Sequence, residues 1–507
     1  MSRVEAVAFL SGAVVLVLEL LGPRLIAPFF GATLTAWSSV ISVTLAALAG
    51  GYALGGAAAD RLPPWRVLGW ALGLAAFWLA LLPLLRLPVL RAAAGLGIQA
   101  GALAGSALLL GLPLLLLGAA APCSVKLKAQ SLQGIGRAAG TIGAISTAGS
   151  VAGALLGGFA LIPRFCIDAL AGGCAALLAL LAAVCFRSAG ALRAPAAVLA
   201  LGGTLFVGTA LLPTAPLPGL RARVGSFYGD LRVVDLPAEN RRILYIDGMP
   251  NTVADLRTLE STSDYIRSFE LLHFLRPQAK EALAVGLGGG GLLRRFQAEY
   301  GIRSDVVELD GAVAGLAKDW FGLRLSGELF IEDGRAFLER GGRSYDLIVV
   351  DAFNGDKHPI HLFSREAFEA AARRLKGDGV LALNVIGRAY GPDSGLRSSV
   401  ERTLRSVFPH VSVLGANADF DLERSCVNLT FFASRGSLEF RKSPAGGRPE
   451  LAGYFDKVKD RFLKTRGGDP EGLLLTDDYN PLETLSGPAE LEIRRLLLQD
   501  SPPAAVL

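Results

Sequence analysis

Successive apolar runs of about 20 residues fill the first 213 positions of this chain, which restricts that half to a bundle of membrane-crossing helices. Spans are predicted near 6–22, 36–59, 67–85, 98–122, 139–163, 167–186 and 194–213, seven in all. The first run, Phe9 to Leu21, is not read as a cleaved leader, because Glu19 interrupts it and no small-residue cleavage site follows. A carboxyl at position 19 is costly in hydrocarbon, so it should face the bundle or a water-filled cavity, either in a proton or cation path or as a packing hydrogen bond. Gly140, Gly143, Gly149, Gly153, Gly157 and Gly158 crowd the fifth span, and Gly149, Gly153 and Gly157 make two GxxxG steps suited to close helix packing.

Charge divides the chain at the same place. Residues 1–213 hold ten Arg and two Lys against Glu5, Glu19, Asp60 and Asp168, whereas the remainder is slightly acidic. The basic pI therefore belongs to helix ends and is no argument for nucleic-acid binding. Cys123, Cys166, Cys174, Cys185 and Cys426 form no CxxC pair, so neither a zinc site nor a disulfide framework is expected, and no metal is assigned. The basic loops at 60–66, 126–137 and 187–193 would face the cytoplasm under the positive-inside rule, which with seven spans places the second half outside. If the second half acts on a cytosolic small molecule it belongs inside instead, and an inner-membrane, multi-pass protein with its second half in the cytoplasm is expected.

Pro213, Pro216 and Pro218 mark a linker at 214–224, after which the texture becomes that of a water-soluble α/β protein. Residues 225–277 read as a small β domain of two or three strands with a connecting helix. From 278 to 500, strand and helix signals alternate: Glu281–Val285, Leu292–Tyr300, Ser304–Glu308, Ala312–Trp320, Leu329–Glu332, Tyr345–Val350, Arg365–Leu375 and Val380–Val385. Such alternation predicts a parallel sheet with helices on both faces.

The chemistry centres on ALAVGLGGGGLLRRF. An apolar strand ends at Val285, and Gly286, Gly288 and Gly291 satisfy GxGxxG before a helix begins, with Gly290 completing the loop. Glycines there let a ligand approach the main chain and the helix N-terminus, and Glu308, at the next strand end, is placed to grip ribose hydroxyls. That much serves nicotinamide dinucleotides and adenosyl-sulfonium compounds alike. Asp333, after the third strand, can accept adenine amino hydrogens. Asp351 ends the fourth strand, on the sheet edge where ligands bind in open α/β folds. Three acids at successive strand ends around one Gly-rich loop favour the adenosyl reading.

These segments resemble the spermidine synthase (polyamine aminopropyltransferase) family over residues 222–435. ILYIDGMPNT is similar to its LDG strand end, GLGGGGLLR to its GGGDGGTLR loop, and VVELD to its ribose-binding strand end. EDGRAFL resembles its adenine-contacting segment, and YDLIVVD its catalytic strand. FLSGAVVLVLELLGPRLIAPFFG and LGGAAADR resemble the multi-pass domain fused to some bacterial members. The resemblance implies an N-terminal all-α polytopic membrane domain and a C-terminal Rossmann-like, methyltransferase-type α/β domain preceded by a small β-hairpin domain. It also implies aminopropyl transfer from decarboxylated S-adenosylmethionine to an amine such as putrescine, with no further cofactor and with homodimerisation through the soluble domain.

By the same resemblance Asp351 is the base. Gly286, Gly288, Gly290, Gly291, Glu308, Asp333, Gly334 and Asn251 hold the donor, and Asn354, Tyr265, His361, Asp478 and Tyr479 are candidates for the acceptor side. His358, like His361, flanks the catalytic loop. Departures fall mostly on the amine side. Gly289 stands where the family loop has Asp, Asn354 replaces the second Asp of DxxD, and Asn251 replaces Gln. Ser268 and Phe269 replace a Tyr-His pair, for which Tyr265 can partly substitute. Loss of the acid at Gly289 leaves an alternative in which S-adenosylmethionine itself is the donor, for lyase, cyclase or carboxypropyl chemistry. A polyamine or cation transporter or sensor with a nucleoside-binding domain is the alternative from another class.

Overall fold

The computed structural model describes the chain except residues 1, 32–33, 130, 132–133, 163, 191–217, 354–356, 441–448, 501 and 503–507. The seventh apolar span near 194–213 and most of the 214–224 linker lie outside the described residues. The chain divides into two compact units, one holding the N-terminal helices and the other nearly all of the α/β region.

Among the described residues, six helices are long and apolar enough to cross a membrane: α1 (Arg3–Phe30), α2 (Leu34–Arg61), α3 (Pro64–Ala94), α4 (Gln99–Lys128), α5 (Ile135–Leu161) and α6 (Ile167–Ser188). They coincide with the first six predicted spans. Glycines set how closely α1 and α5 approach. A side-chain carbon at Gly149 would sit 1.9 Å from the Phe9 carbonyl oxygen, and one at Gly153 would sit 2.3 Å from that of Ala13. Gly140 and Gly143 have open space around them, so only part of the glycine-rich face serves packing. Charges inside the bundle are matched, Arg86 with Asp168 at 3.7 Å and Lys128 with Glu5, while Glu19 is half-buried.

The second unit opens with a four-stranded sheet, β1 (Leu220–Gly225), β2 (Asp230–Leu236), β3 (Arg241–Ile246) and β4 (Met249–Asp255), in sequential order. It has one or two strands more than the sequence signals gave, and it begins within the expected linker. Asn240, in the left-handed region at φ 54°, makes the β2–β3 turn. Helices α7 (Asp264–Glu270) and α8 (Leu272–Leu275) lead into the main sheet.

That sheet has seven strands in the order β10-β11-β9-β8-β5-β6-β7. Strands β5 (Glu281–Val285), β6 (Arg303–Glu308), β7 (Leu329–Ile331), β8 (Tyr345–Val350) and β9 (Leu375–Arg388) are parallel. The expectation of a wholly parallel sheet is corrected at one edge, where β11 (Cys426–Ser434) and β10 (His410–Gly415) pair antiparallel. Helices α9 (Gly291–Tyr300), α10 (Gly311–Trp320), α11 (Gly334–Glu339) and α12 (Arg365–Arg374) follow the strands, as alternation requires. Asp310, Asp333 and Ser364 cap the last three, each accepting a backbone N–H in the first turn. Beyond them come α13 (Gly395–Arg405), α14 (Pro449–Val458) and α15 (Leu482–Asp500). The strands bury near-continuous apolar runs such as Leu283, Val285, Ile348, Val350, Leu381 and Leu383, as expected of a sheet covered on both faces.

Candidate active site

The Gly-rich loop is pinned between two neighbouring strand ends. Gly286 N donates to Val307 O and Asp351 N donates to Val285 O, both at 2.9 Å. Gly286 has φ 95°, and a side-chain carbon there would lie 2.3 Å from the Asp351 carbonyl oxygen, so only glycine fits. This brings Glu308 and Asp351, from β6 and β8, to either side of one loop.

Glu308 and Asp333 line a cavity of about 100 Å³ together with Gly334 and His361. Glu308 Oε2 accepts from Leu287 N and Oε1 from Asp310 N, each at 2.9 Å, which fixes the carboxylate and leaves further lone pairs for hydroxyl donors. Burial raises its pKa, opposed by those backbone N–H groups. Asp333 caps α11 through Oδ1, and Oδ2 lies 2.9 Å from His361 Nε2. His361, a candidate for the acceptor side, therefore stands beside Asp333, because the short helical turn Ile360–Leu362 brings it toward α11.

Asp351, Asn251, Gly286, Leu287, Gly288 and Phe353 line this cavity and also a second, of about 480 Å³. Asp351 thus stands where the two meet. Burial pushes its pKa up to about 6, against hydrogen bonds from Asn384 and Tyr265 that favour the ionised form. Asn384 Nδ2 donates to Asp351 Oδ1 at 3.2 Å, while Asn384 Oδ1 is buried with no hydrogen-bond partner among the described residues. The Tyr265 phenol pKa is raised by burial and by the Asp351 charge, so the phenol stays a donor. Tyr265 thus reaches Asp351.

The loop position that lacks the family acid is filled from elsewhere. Gly289 N donates to Thr252 Oγ1 at 2.9 Å, and Thr252 in turn donates to Asn251 Oδ1 at 3.2 Å. A side-chain carbon at 289 would lie 2.6 Å from the Thr252 methyl and 3.1 Å from the Phe321 ring. The glycine therefore makes no room for a donor carboxylate at that point.

Other nominated residues lie elsewhere. Asn354 is outside the described residues. Asp478 and Tyr479 line neither cavity: Tyr479 is 61% exposed, and the neighbouring Asp477 is drawn to Arg335 at 2.8 Å. His358 is buried and lines neither cavity, with Nε2 accepting from Ile386 N at 3.1 Å. Ser268 bonds Thr430, and Phe269 is fully buried. Thr252, Asn384, Asn417, Asn428 and Glu492 line the larger cavity without having been singled out in the sequence. Of these only Asn384 carried a signal, a polar residue near the end of the apolar run Val380–Val385. Among the described residues, no group of three or more His, Cys, Asp or Glu is placed to hold a metal ion.

The spermine/spermidine synthase domain family matches residues 269–416, which carry the loop, Glu308, Asp333, Asp351 and Asn384. The polyamine aminopropyltransferase of Vibrio vulnificus is 31% identical over 234 residues, covering 44% of this chain and 75% of that protein. The probable polyamine aminopropyl transferase of Bifidobacterium longum is 28% identical over 228 residues, 42% of this chain, which spans about half (50%) of that relative's length. A solved probable spermidine synthase from Corynebacterium glutamicum superposes with TM-score 0.40 at 22% identity, covering 48% of this chain and 87% of that one. The chain belongs to the polyamine aminopropyltransferase (spermidine synthase) family.

Proposed function

We propose that the chain is a membrane-embedded aminopropyltransferase that moves the aminopropyl group of decarboxylated S-adenosylmethionine to an amine and releases methylthioadenosine. The observation that carries this reading is the position of Asp351 where the two cavities meet. Glu308 and Asp333 in the smaller cavity suit ribose and adenine, and an amine in the larger would meet the sulfonium beside Asp351. Asn251, Gly286, Gly288, Gly290, Gly291 and Gly334 would complete the donor site.

The amine is mostly protonated near neutral pH and must lose a proton before its lone pair can attack. Asp351, ionised above about pH 6, would orient the ammonium and take that proton. The buried Asn384 Oδ1 supplies a second acceptor for an amine N–H. The C–N bond then forms as the C–S bond breaks. The electron pair passes to sulfur, and the leaving group is a neutral thioether that needs no general acid. The positive charge that leaves sulfur appears on the nitrogen, beside the Asn384 Oδ1 acceptor and the now protonated Asp351.

The membrane placement and cytoplasmic orientation are part of the proposal. The membrane placement is supported by the six apolar helices among the described residues, and the cytoplasmic side of the α/β unit by the cytosolic origin of its nucleotide donor. A homodimer through the soluble domain is expected from the family likeness.

A second reading, in which intact S-adenosylmethionine is the substrate, follows from the lack of a loop carboxylate at Gly289 to hold a lone donor ammonium, although the Thr252 methyl and the Phe321 ring crowd that position. The full chain in detergent, given decarboxylated or intact S-adenosylmethionine with and without an amine, separates the two by its nucleoside products. Methylthioadenosine formed from the decarboxylated donor only when amine is present is the expected result. Its formation from the intact donor without amine would overturn the proposal.

A further inference from the structure

The larger cavity carries few charges. Among its described lining residues only Asp351 and Glu492 are carboxylates, and Glu492 is already engaged: Arg388 donates to Glu492 Oε2 at 2.5 Å and the Cys426 thiol donates to the same oxygen at 3.4 Å. Strand β9 runs along the cavity, with Asn384 against Asp351 and Arg388 four residues further on at Glu492. At the rise of an extended strand the two ends are about 13 Å apart. The rest of the lining includes Met249, Ile266, Ile386, Val427, Phe420 and Ile493, with neutral hydroxyls from Ser261, Ser263 and Ser425 and neutral amides from Asn417 and Asn428. Asn417 Oδ1 accepts from the Asn428 backbone N at 2.7 Å and from Asn428 Nδ2 at 3.4 Å.

We propose that the acceptor is a monoamine with an extended apolar body, its single cationic nitrogen held between Asp351 and Asn384, and not a linear α,ω-diamine. This rests on the aminopropyl-transfer reading and specifies its substrate class. An ammonium leaves water readily only where a charge partner replaces its hydration, and a hydrocarbon body gains free energy from an apolar wall. Asp351 and the Asn384 carbonyl oxygen meet the first requirement at one end. A second ammonium further along would face aliphatic and aromatic side chains, neutral amides, or a carboxylate already neutralised by a guanidinium whose own charge repels it.

Calorimetry on the full chain in detergent, saturated with methylthioadenosine, would compare phenethylamine and hexylamine with putrescine, cadaverine and spermidine, and turnover would be measured on the same panel. The expected result is binding of the monoamines tighter by about ten-fold or more, the scale on which a site rejects a group it leaves unpaired. Asn428→Asp, which adds an unpaired carboxylate along the cavity, should narrow or reverse that preference. Tighter binding of putrescine or spermidine to the unaltered protein would overturn the assignment, as would an Asn428→Asp protein with unchanged preference. Monoamine preference in binding with no turnover on any amine would sustain the cavity assignment while sinking aminopropyl transfer.

Discussion

Thr252 and Gly289 are built as one unit: the Thr252 hydroxyl accepts the Gly289 N–H at 2.9 Å, and its methyl occupies the space that a side chain at 289 would need. The family acid is thus not merely missing from the loop but displaced by a neighbouring strand.

Gly289→Asp alone should therefore destabilise the α/β unit, by about 1–3 kcal/mol as for other overpacked sites. Thr252→Ala combined with Gly289→Asp should recover much of that loss, since it removes the methyl 2.6 Å away. Thermal unfolding of the three proteins tests this. Equal stability of Gly289→Asp and the parent would show that the loop has room.

Turnover should follow the ionisation of Asp351. Its pKa stands near 6 and the proposed base is the carboxylate, so kcat/KM should fall as pH drops through that value and level off above it. Tyr265→Phe removes a hydrogen bond that favours the charged form, so the acid limb should move to higher pH. A profile flat down to pH 5, or a limb unmoved by Tyr265→Phe, would go against this.

The same shift has a stability consequence of definite sign. Asp351 titrates near 6 when folded against an unfolded value of about 3.9, so the folded state holds more protons between the two and loses stability as pH rises across that window. Asp351→Asn should accordingly raise the melting temperature at pH 7, by an amount on the order of 2 kcal/mol in stability, with the gap closing toward pH 4. A variant less stable than the parent at pH 7 would mean that the carboxylate's hydrogen bonds outweigh its burial.

Glu308→Gln should weaken methylthioadenosine binding by about ten- to a hundred-fold, the range for losing charged hydrogen bonds to ribose. Turnover at saturating donor should suffer less. Titration calorimetry and initial rates separate the two, and unchanged affinity would remove Glu308 from the donor site.

In the helical half, Gly149→Ala should lower thermal stability by about 1–3 kcal/mol because its side chain meets the Phe9 carbonyl. Gly140→Ala, on the same helix but in open space, should be neutral or stabilising. Circular dichroism melts in detergent compare them, and equal effects would deny close packing of α1 on α5.

Much of this fold was legible because its signals are local. The run ending at Val285, the glycines that follow, and the apolar strands ending at Glu308 and Asp351 are periodicities and breaks within a few residues. The antiparallel edge was not, since β10 and β11 are defined by pairing across the sheet and not by any alternation with helices. The site divides the same way. Glu308, Asp333 and Asp351 announce themselves as acids at strand ends. The approach of His361 to Asp333 depends on a single helical turn, the Thr252 methyl over Gly289 on a separate sheet, and Glu492 on the final helix. None of these three leaves a mark in the local sequence.

The most direct test of the account is a single-turnover comparison of the parent and Asp351→Asn with decarboxylated S-adenosylmethionine and an accepted amine, alongside methylthioadenosine affinity. The variant should bind methylthioadenosine as the parent does yet release almost none from the donor. Release at the parent rate would contradict this, because the group placed where the two cavities meet would then have no part in the transfer.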